Sequence, residues 1–281
     1  MNVDAARARR ERGQAMVEFL IVVPIILMLI LGAIQFSLVY RARSTLQYAA
    51  FETARAGALN NARLWAMENA FARGMAPLFT NSFLEEDATG SCANRYTLFG
   101  KDPGDLDISH ARCGRSVARA RMDDGLSRIL LINPSKQSFL NHAVLDARGQ
   151  RYIPNDNLMW RDSEPRGSGA AAQSIQDANL LKVHVSYCYE LVVPLVNRMM
   201  QLMMTQREGP DLGSTLPSDR DGVTRLPGNF GPLPEGFGRD CSRRATPHIP
   251  IYAQSLMRMQ SDAVQSTDYA QVGDFRCAGN C

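Results

Sequence analysis

Residues 19–40 read FLIVVPIILMLILGAIQFSLVY, a run without an ionised side chain. At 1.5 Å of rise per helical residue, about 20 apolar residues cross the hydrocarbon core of a bilayer, and this run suffices. The competing reading is a helix buried in a protein core, which rarely needs so long an uncharged run with arginines massed on one side. Arg7, Arg9, Arg10 and Arg12 precede the run, offset only by Asp4 and Glu11. The positive-inside rule then keeps Met1 in the cytoplasm and sends the long remainder across. Arg41 and Arg43, just beyond the run, weaken this asymmetry without reversing it. A secretory signal peptide would have a shorter apolar core and a small-residue cleavage site on its far side. An uncleaved signal anchor fits better.

The chain has 281 residues, enough for one domain with a core of its own or for two small ones. Its hydrophobic fraction of 45% and charged fraction of 21% are ordinary for globular proteins. The formal net charge is +3, and most of it sits in the first dozen residues. With no basic stripe interleaved with aromatics, nucleic acid is excluded as an expected partner. The basic charge is a topology signal.

The near edge of the run is more specific. Arg12-Gly13-Gln14-Ala15-Met16-Val17-Glu18-Phe19 sets a basic leader, a glycine, four residues, a glutamate and an aromatic ahead of the apolar stretch. A carboxylate at this depth is costly unless it lies at the interface or has a partner. Taken alone, Glu18 also reads as an N-terminal helix acid favoured by the macrodipole. As a set, these residues resemble the processing site of type IV prepilins and of their relatives in tight-adherence (Tad/Flp) pilus systems. The resemblance implies that a prepilin peptidase cuts between Gly13 and Gln14 on the cytoplasmic face. It also implies that Glu18, followed by Phe19, pairs with the new N-terminal amine of a neighbouring subunit. Both steps are physically reasonable, since glycine lets the chain enter a tight cleft and a paired charge enters a helical bundle more readily than a lone one.

Further along, RGQAMVEFLIVVPIILMLILGAIQFSLVYRARSTLQYAAFETARAGA is similar to the N-terminal motif of TadE-like proteins. The shared features are RG followed by VEF, a mid-helix proline (Pro24), a polar residue near the far end (Gln35) and a small-residue helix ending in AR-x-G. Pro24 is tolerated in a membrane helix and is expected to bend it. The Ala-rich stretch from Ala49 to Ala58, with Gly57, offers close backbone approach to another helix or simply high helix propensity. Leu181–Leu191, LKVHVSYCYEL, alternates as a strand, with Val183, Val185, Tyr187, Tyr189 and Leu191 on one face. Lys182, His184, Ser186, Cys188 and Glu190 fall on the other face. This strand, the following Pro194 and the strand-compatible PIYAQSLMRMQ of residues 250–260 also resemble TadE-like segments.

The expected fold is α+β and pilin-like: a long N-terminal membrane helix running into an exported domain with a small antiparallel sheet, packed helices and long loops. The expected divisions are a leader over 1–13, a membrane helix over 14–40, its continuation over 41–76 and an α+β domain over 77–281. The helix is expected to stop at the Gly74-to-Pro77 breaker. Further helices are expected near Arg115–Ile132 and Ala171–Asn179, and a Met-rich one over Val192–Gln206 packs on the sheet. Residues 208–240, rich in Gly and Pro, read as a long surface loop.

Six cysteines in a chain placed outside the cytoplasm favour disulfides over zinc, since no C-x-x-C pair or finger-like histidine spacing occurs. Sequence proximity suggests Cys92 with Cys113 and Cys277 with Cys281, leaving Cys188 with Cys241. No hydrolase, nucleotide-binding or metalloprotease motif is present, so neither catalysis nor a cofactor or metal is expected. Asp107-Ile108-Ser109-His110 lacks the second serine of an adhesion-type metal motif, and Asp219-Arg220-Asp221-Gly222 lacks the EF-hand spacing. The function implied by the resemblance is that of a non-enzymatic minor pilin or pseudopilin. It would be single-pass in a bacterial inner membrane, with a periplasmic C-terminal domain that reaches the cell exterior if built into the pilus. Its partners would be the membrane, the peptidase, other subunits and the assembly machinery. The alternative is a permanently anchored, unprocessed envelope scaffold or binding protein.

Overall fold

In the computed structural model of the chain, the apolar run lies inside one helix, α1 (Val3–Leu59), of 57 residues with Pro24 in its interior. The structure describes residues 3–79, 84–86, 92–94, 108–167, 172–207, 237, 241, 244, 246–267, 271–272 and 275–278. For 3–15, 84–86, 92–94, 108–110, 203–207, 271–272 and 275 it describes the backbone alone. After α1 come α2 (Leu64–Phe79), β1 (Leu84–Glu86), β2 (Cys92–Asn94), α3 (Ile108–Asp123), β3 (Ser127–Asn133) and α4 (Lys136–His142). The chain continues through β4 (Val144–Leu145), β5 (Arg151–Ile153), a 3-10 turn (Leu158–Trp160), α5 (Ile175–Ala178), β6 (Leu180–Glu190) and α6 (Val196–Arg207). It closes with β7 (His248–Arg258), β8 (Ala263–Val264), β9 (Gln271–Val272) and β10 (Phe275–Ala278).

The expected helical continuation to Gly74 is corrected at Asn60-Asn61-Ala62. Asn61 and Ala62 adopt left-handed φ values of 56° and 54°, a conformation that asparagine tolerates and that ends helices. The Asn60 Nδ2 donates back to the Ala56 carbonyl at 2.7 Å, and the Ala62 amide to that of Gly57 at 2.9 Å. The chain therefore reverses, and α2 returns along α1. Gly74 and Pro77 sit inside α2 rather than ending it. Their use is proximity: a Cβ on Gly74 would lie 2.7 Å from the Ala49 Cα. Gly57 is as crowded, with Leu181 Cδ2 and Met67 Cε each 2.7 Å from such a Cβ. The Ala/Gly stretch thus serves close approach, within this chain.

The main sheet is antiparallel, in the order β7-β6-β3-β10-β9. β6 pairs with β7 over their whole lengths, from Leu180 opposite Arg258 to Glu190 opposite His248. Both expected strands are present. On one face Leu181, Val183, Val185, Tyr187 and Tyr189 of β6 join Ile129 and Leu131 of β3 and Ile249, Ile251 and Ala253 of β7. Ala42, Leu46, Ala49, Ala50, Ala54 and Ala58 of α1, with Met67, Phe71 and Met75 of α2, close this core. A smaller sheet, β4-β5-β8, hangs from the end of α1, where Ala58 and Asn61 carbonyls accept from the Gln260 and Val264 amides at 3.0 and 3.1 Å.

The polar alternation of β6 does not leave its second face open to water. Leu126, Cys188, Phe237 and Cys241 form a small cluster there, with Tyr252 packed on it. Cys188 and Cys241 are disulfide-bonded with Cα atoms 5.6 Å apart, and Cys113 and Cys277 are each disulfide-bonded too. The side chains of Cys92 and Cys281, hence the other two expected pairings, lie outside the described residues. So do the motifs at Asp107 and Asp219 and, apart from Phe237, the loop over 208–240. The helix expected over Arg115–Ile132 is corrected to α3 followed by β3: the Gly125 turn, at φ 68°, divides it, and the run SRILLIN, with β-branched Ile129 and Ile132, is buried throughout as a strand. The short helix expected near Ala171–Asn179 is α5, with a Ser174/Asp177 capping box, and the Met-rich helix is α6.

Two predictions follow from this packing. Gly74→Ala is expected to lower stability by about 1–3 kcal/mol net of the helix propensity it gains, because the Ala49 backbone must move. Gly32→Ala, which meets nothing within 4 Å, should leave the urea midpoint of the detergent-solubilised protein unchanged or raised. His184 concerns pH. Burial, aided by Arg128 and Lys182, pushes its imidazole down to about 4. Unfolded, it takes up a proton near pH 6.5, so stability is complete above that value and is lost as the pH falls toward 4. His184→Gln should therefore shrink the stability difference between pH 7 and pH 4.5 by on the order of 2 kcal/mol in urea titrations.

Candidate functional site: the N-terminal helix and its seat

The described surface holds one feature out of proportion to the rest. From Met16 to Ile34 no residue of α1 is buried, and Met16, Phe19, Leu20 and Leu29 are each at least 66% exposed. A third of the helix is thus bare and almost wholly apolar, far more than soluble surfaces expose in one patch. The stretch is 19 residues by its bounds, about 28 Å at the helical rise, and matches a bilayer core.

The bare stretch ends at Gln35. Its side chain is fully buried, and its Oε1 accepts from the Val193 amide at 2.8 Å, while its Nε2 has no protein partner. Gln35, Ala42 and Ala49 recur at intervals of seven, so the contact continues the stripe that α1 buries against the sheet. Farther along, the Gln47 Nε2 donates to the Gln254 carbonyl of edge strand β7 at 3.1 Å. Thr53 returns its hydroxyl to the Ala49 carbonyl at 2.6 Å, so a polar residue enters the stripe without an orphaned group.

Of the residues singled out in the sequence, Gly13 and Gln14 lie within the α1 backbone, in helical conformation. Glu18 and Phe19 are exposed at the start of the bare stretch, about 25 Å along the axis from Gln35. No ion pair among the described residues involves Glu18. The side chain of Gln14 lies outside the described residues. Gln35 had been legible as a polar residue near the far end of the run, but not as an acceptor for a loop 158 positions away.

Other polar groups of the domain pack against aromatic rings. Buried Arg276 lies over the Phe139 ring at 5.6 Å, and desolvation lowers its pKa to about 10. Arg128 covers Phe237 at 5.1 Å, and His184 stacks on Tyr252 at 5.7 Å. The cleft between α2 and α3, lined by Trp65, Glu68, Asn69, Arg119, Met122 and Asp123, aligns no nucleophile with a base. Among the described residues no group of three His, Cys, Asp or Glu could hold a metal ion.

Comparison with known proteins bears on this helix. The family model described as TadE-like protein matches residues 13–55, from the Gly13 edge through the bare stretch to the middle of the buried stripe. The two TadE-like strand resemblances, now β6 and β7, lie outside the matched residues. No curated protein and no solved structure matches the chain.

The seat at Gln35 is testable. Gln35→Leu keeps the volume but leaves the Val193 amide without its acceptor, a loss of about 1–3 kcal/mol at that site. Hydrogen exchange of the peptide containing Val193 should quicken by tenfold or more in micelles, with exchange in β6 unchanged.

Proposed function

With residues 13–55 matched to the TadE-like family, we propose that this membrane-anchored protein serves a Tad/Flp-type pilus as a minor pilin or pseudopilin. The observation that carries the reading is the division of α1. A segment able to cross a membrane projects bare from the domain, carries Glu18 near its start in no ion pair among the described residues, and is preceded by the Gly13–Gln14 bond. In the proposed route the leader is removed at that bond and Gln14 becomes the N-terminus. The Glu18 carboxylate then meets the new amine of a neighbouring subunit, and the exposed apolar side chains exchange lipid for other helices. The Gly13–Gln14 bond lies in helical backbone, so the leader must unwind locally to enter a peptidase cleft. Gly13 eases that step, since glycine costs about 1 kcal/mol in a helix relative to alanine. The domain contributes contacts rather than chemistry, with its N-terminal side cytoplasmic and its bulk on the far side of the inner membrane.

The second reading, an unprocessed envelope scaffold, rests on Glu18 serving only as an interfacial acid. N-terminal sequencing of the protein from its native host separates the two. Gln14 as the first residue is the expected result, and a mature pool that retains Met1–Gly13 would sink the pilin reading. Glu18→Ala should leave cleavage intact and abolish incorporation into sheared pili, whereas the scaffold reading predicts no effect on either.

A further inference from the structure

Beyond the helix that crosses the membrane, we propose that the β6–α6 corner, Val192–Leu202, is a second membrane contact: a lipid-immersed foot by which the domain stands on the bilayer that α1 spans. The inference rests on the anchoring part of the reading above and not on processing or pilus assembly.

Position comes first. The corner is tied to α1 by the Gln35–Val193 hydrogen bond, and α6 packs on α1 as well as on β7. Gln35 lies five residues before Tyr40, and thus about 7.5 Å along the helix to the membrane side of it. Tyr40, at 68% exposed, and the exposed Arg41 and Arg43 are the residue types that settle at the headgroup level. A loop fastened at Gln35 is therefore below that belt whenever α1 spans the membrane.

The chemistry of the corner matches this depth. Leu191, Val193 and Val196 point inward and are buried, while Val192 and Leu195 point outward at 69% and 72% exposed. Pro194, between them, is exposed too and has no amide hydrogen to leave unsatisfied in lipid. Leu202 continues the outward surface on the side of α6 away from its packing residues Val196 and Met200, and Met199, at 38% exposed, flanks it. Leu195 holds φ at 68°, in the left-handed region that favours glycine. In water that backbone would display a leucine to no benefit; in lipid it places one apolar anchor at the tip. Arg198, the exposed cation on this side of α6, has the long stem that lets a guanidinium reach the phosphates.

The test uses the full-length chain in phosphatidylethanolamine/phosphatidylglycerol vesicles doped with dibrominated phosphatidylcholine, with Trp65 and Trp160 replaced by phenylalanine. Single tryptophans are then introduced by Phe36→Trp, Leu195→Trp, Val192→Trp and Val144→Trp. Phe36→Trp reports whether α1 is inserted, and Val144→Trp reports an exposed site on β4. The expected result is bromine quenching of Leu195→Trp and Val192→Trp at least half as strong as that of Phe36→Trp, with Val144→Trp unquenched. Quenching of Phe36→Trp alone would overturn the foot while leaving the anchor intact, as would a blue-shifted but unquenched Leu195→Trp, which would mean that protein covers the corner. Absence of quenching at Phe36→Trp would overturn both.

Discussion

A single unbroken helix, α1, must satisfy two solvents, and the rest of the structure is arranged around that demand. Over Phe19–Ile34 every side of the helix is apolar and none of its residues is buried. From Gln35 onward one stripe must be protein core while the opposite side tolerates water. A helix cannot shift the phase of its side chains between these regimes, so the stripe begins inside the apolar run, at Gln35, and continues through Ala42 and Ala49. Small residues on the stripe let β6, β7 and α2 come within contact of the α1 backbone, and the crowding at Gly57 and Gly74 measures how closely.

This arrangement divides the labour of the helix cleanly. The Ala/Gly stripe, which on composition alone could have served association between subunits, is consumed by contacts within one chain. What remains at the surface of α1 is the bare stretch, with Glu18 near its far end, and beyond Gln35 single exposed side chains such as Phe36, Tyr40 and Tyr48. Rigidity follows from the same division: Gln47, Ala58 and Asn61 are each hydrogen-bonded to the last third of the chain, so the domain is fastened to α1 at several points along its buried half.

Much of this was legible in one dimension because the signals are local. An uncharged run, an arginine cluster and a Gly–Glu spacing need no partner to be recognised, and the alternation of β6 survives in the face that meets the core. The errors were local signals overridden by context. Asn60-Asn61 carried a stop signal as clear as Gly74 and Pro77, but only the returning α2 shows which stop is used and that Gly74 is spent on proximity instead. In the SRILLIN stretch, helical and strand readings compete, and burial on both faces between β6 and β10 decides for the strand. The alternation of β6 places His184 and Ser186 on its second face but does not say what covers it, and there Tyr252 and the Cys188–Cys241 cluster pack from positions remote in sequence.

The sequence by itself determined that this chain has a segment long and apolar enough to cross a membrane, and which way the flanking charges bias it. These follow from composition and spacing over a few turns of helix. Only the tertiary structure decided where the anchor stops and the domain begins. That boundary is a hydrogen bond between Gln35 and Val193, and hydropathy cannot show it because both partners sit in apolar sequence. Seating the domain at Gln35 rather than at the charged edge near Arg41 also sets its depth, and with it the apolar corner that follows β6.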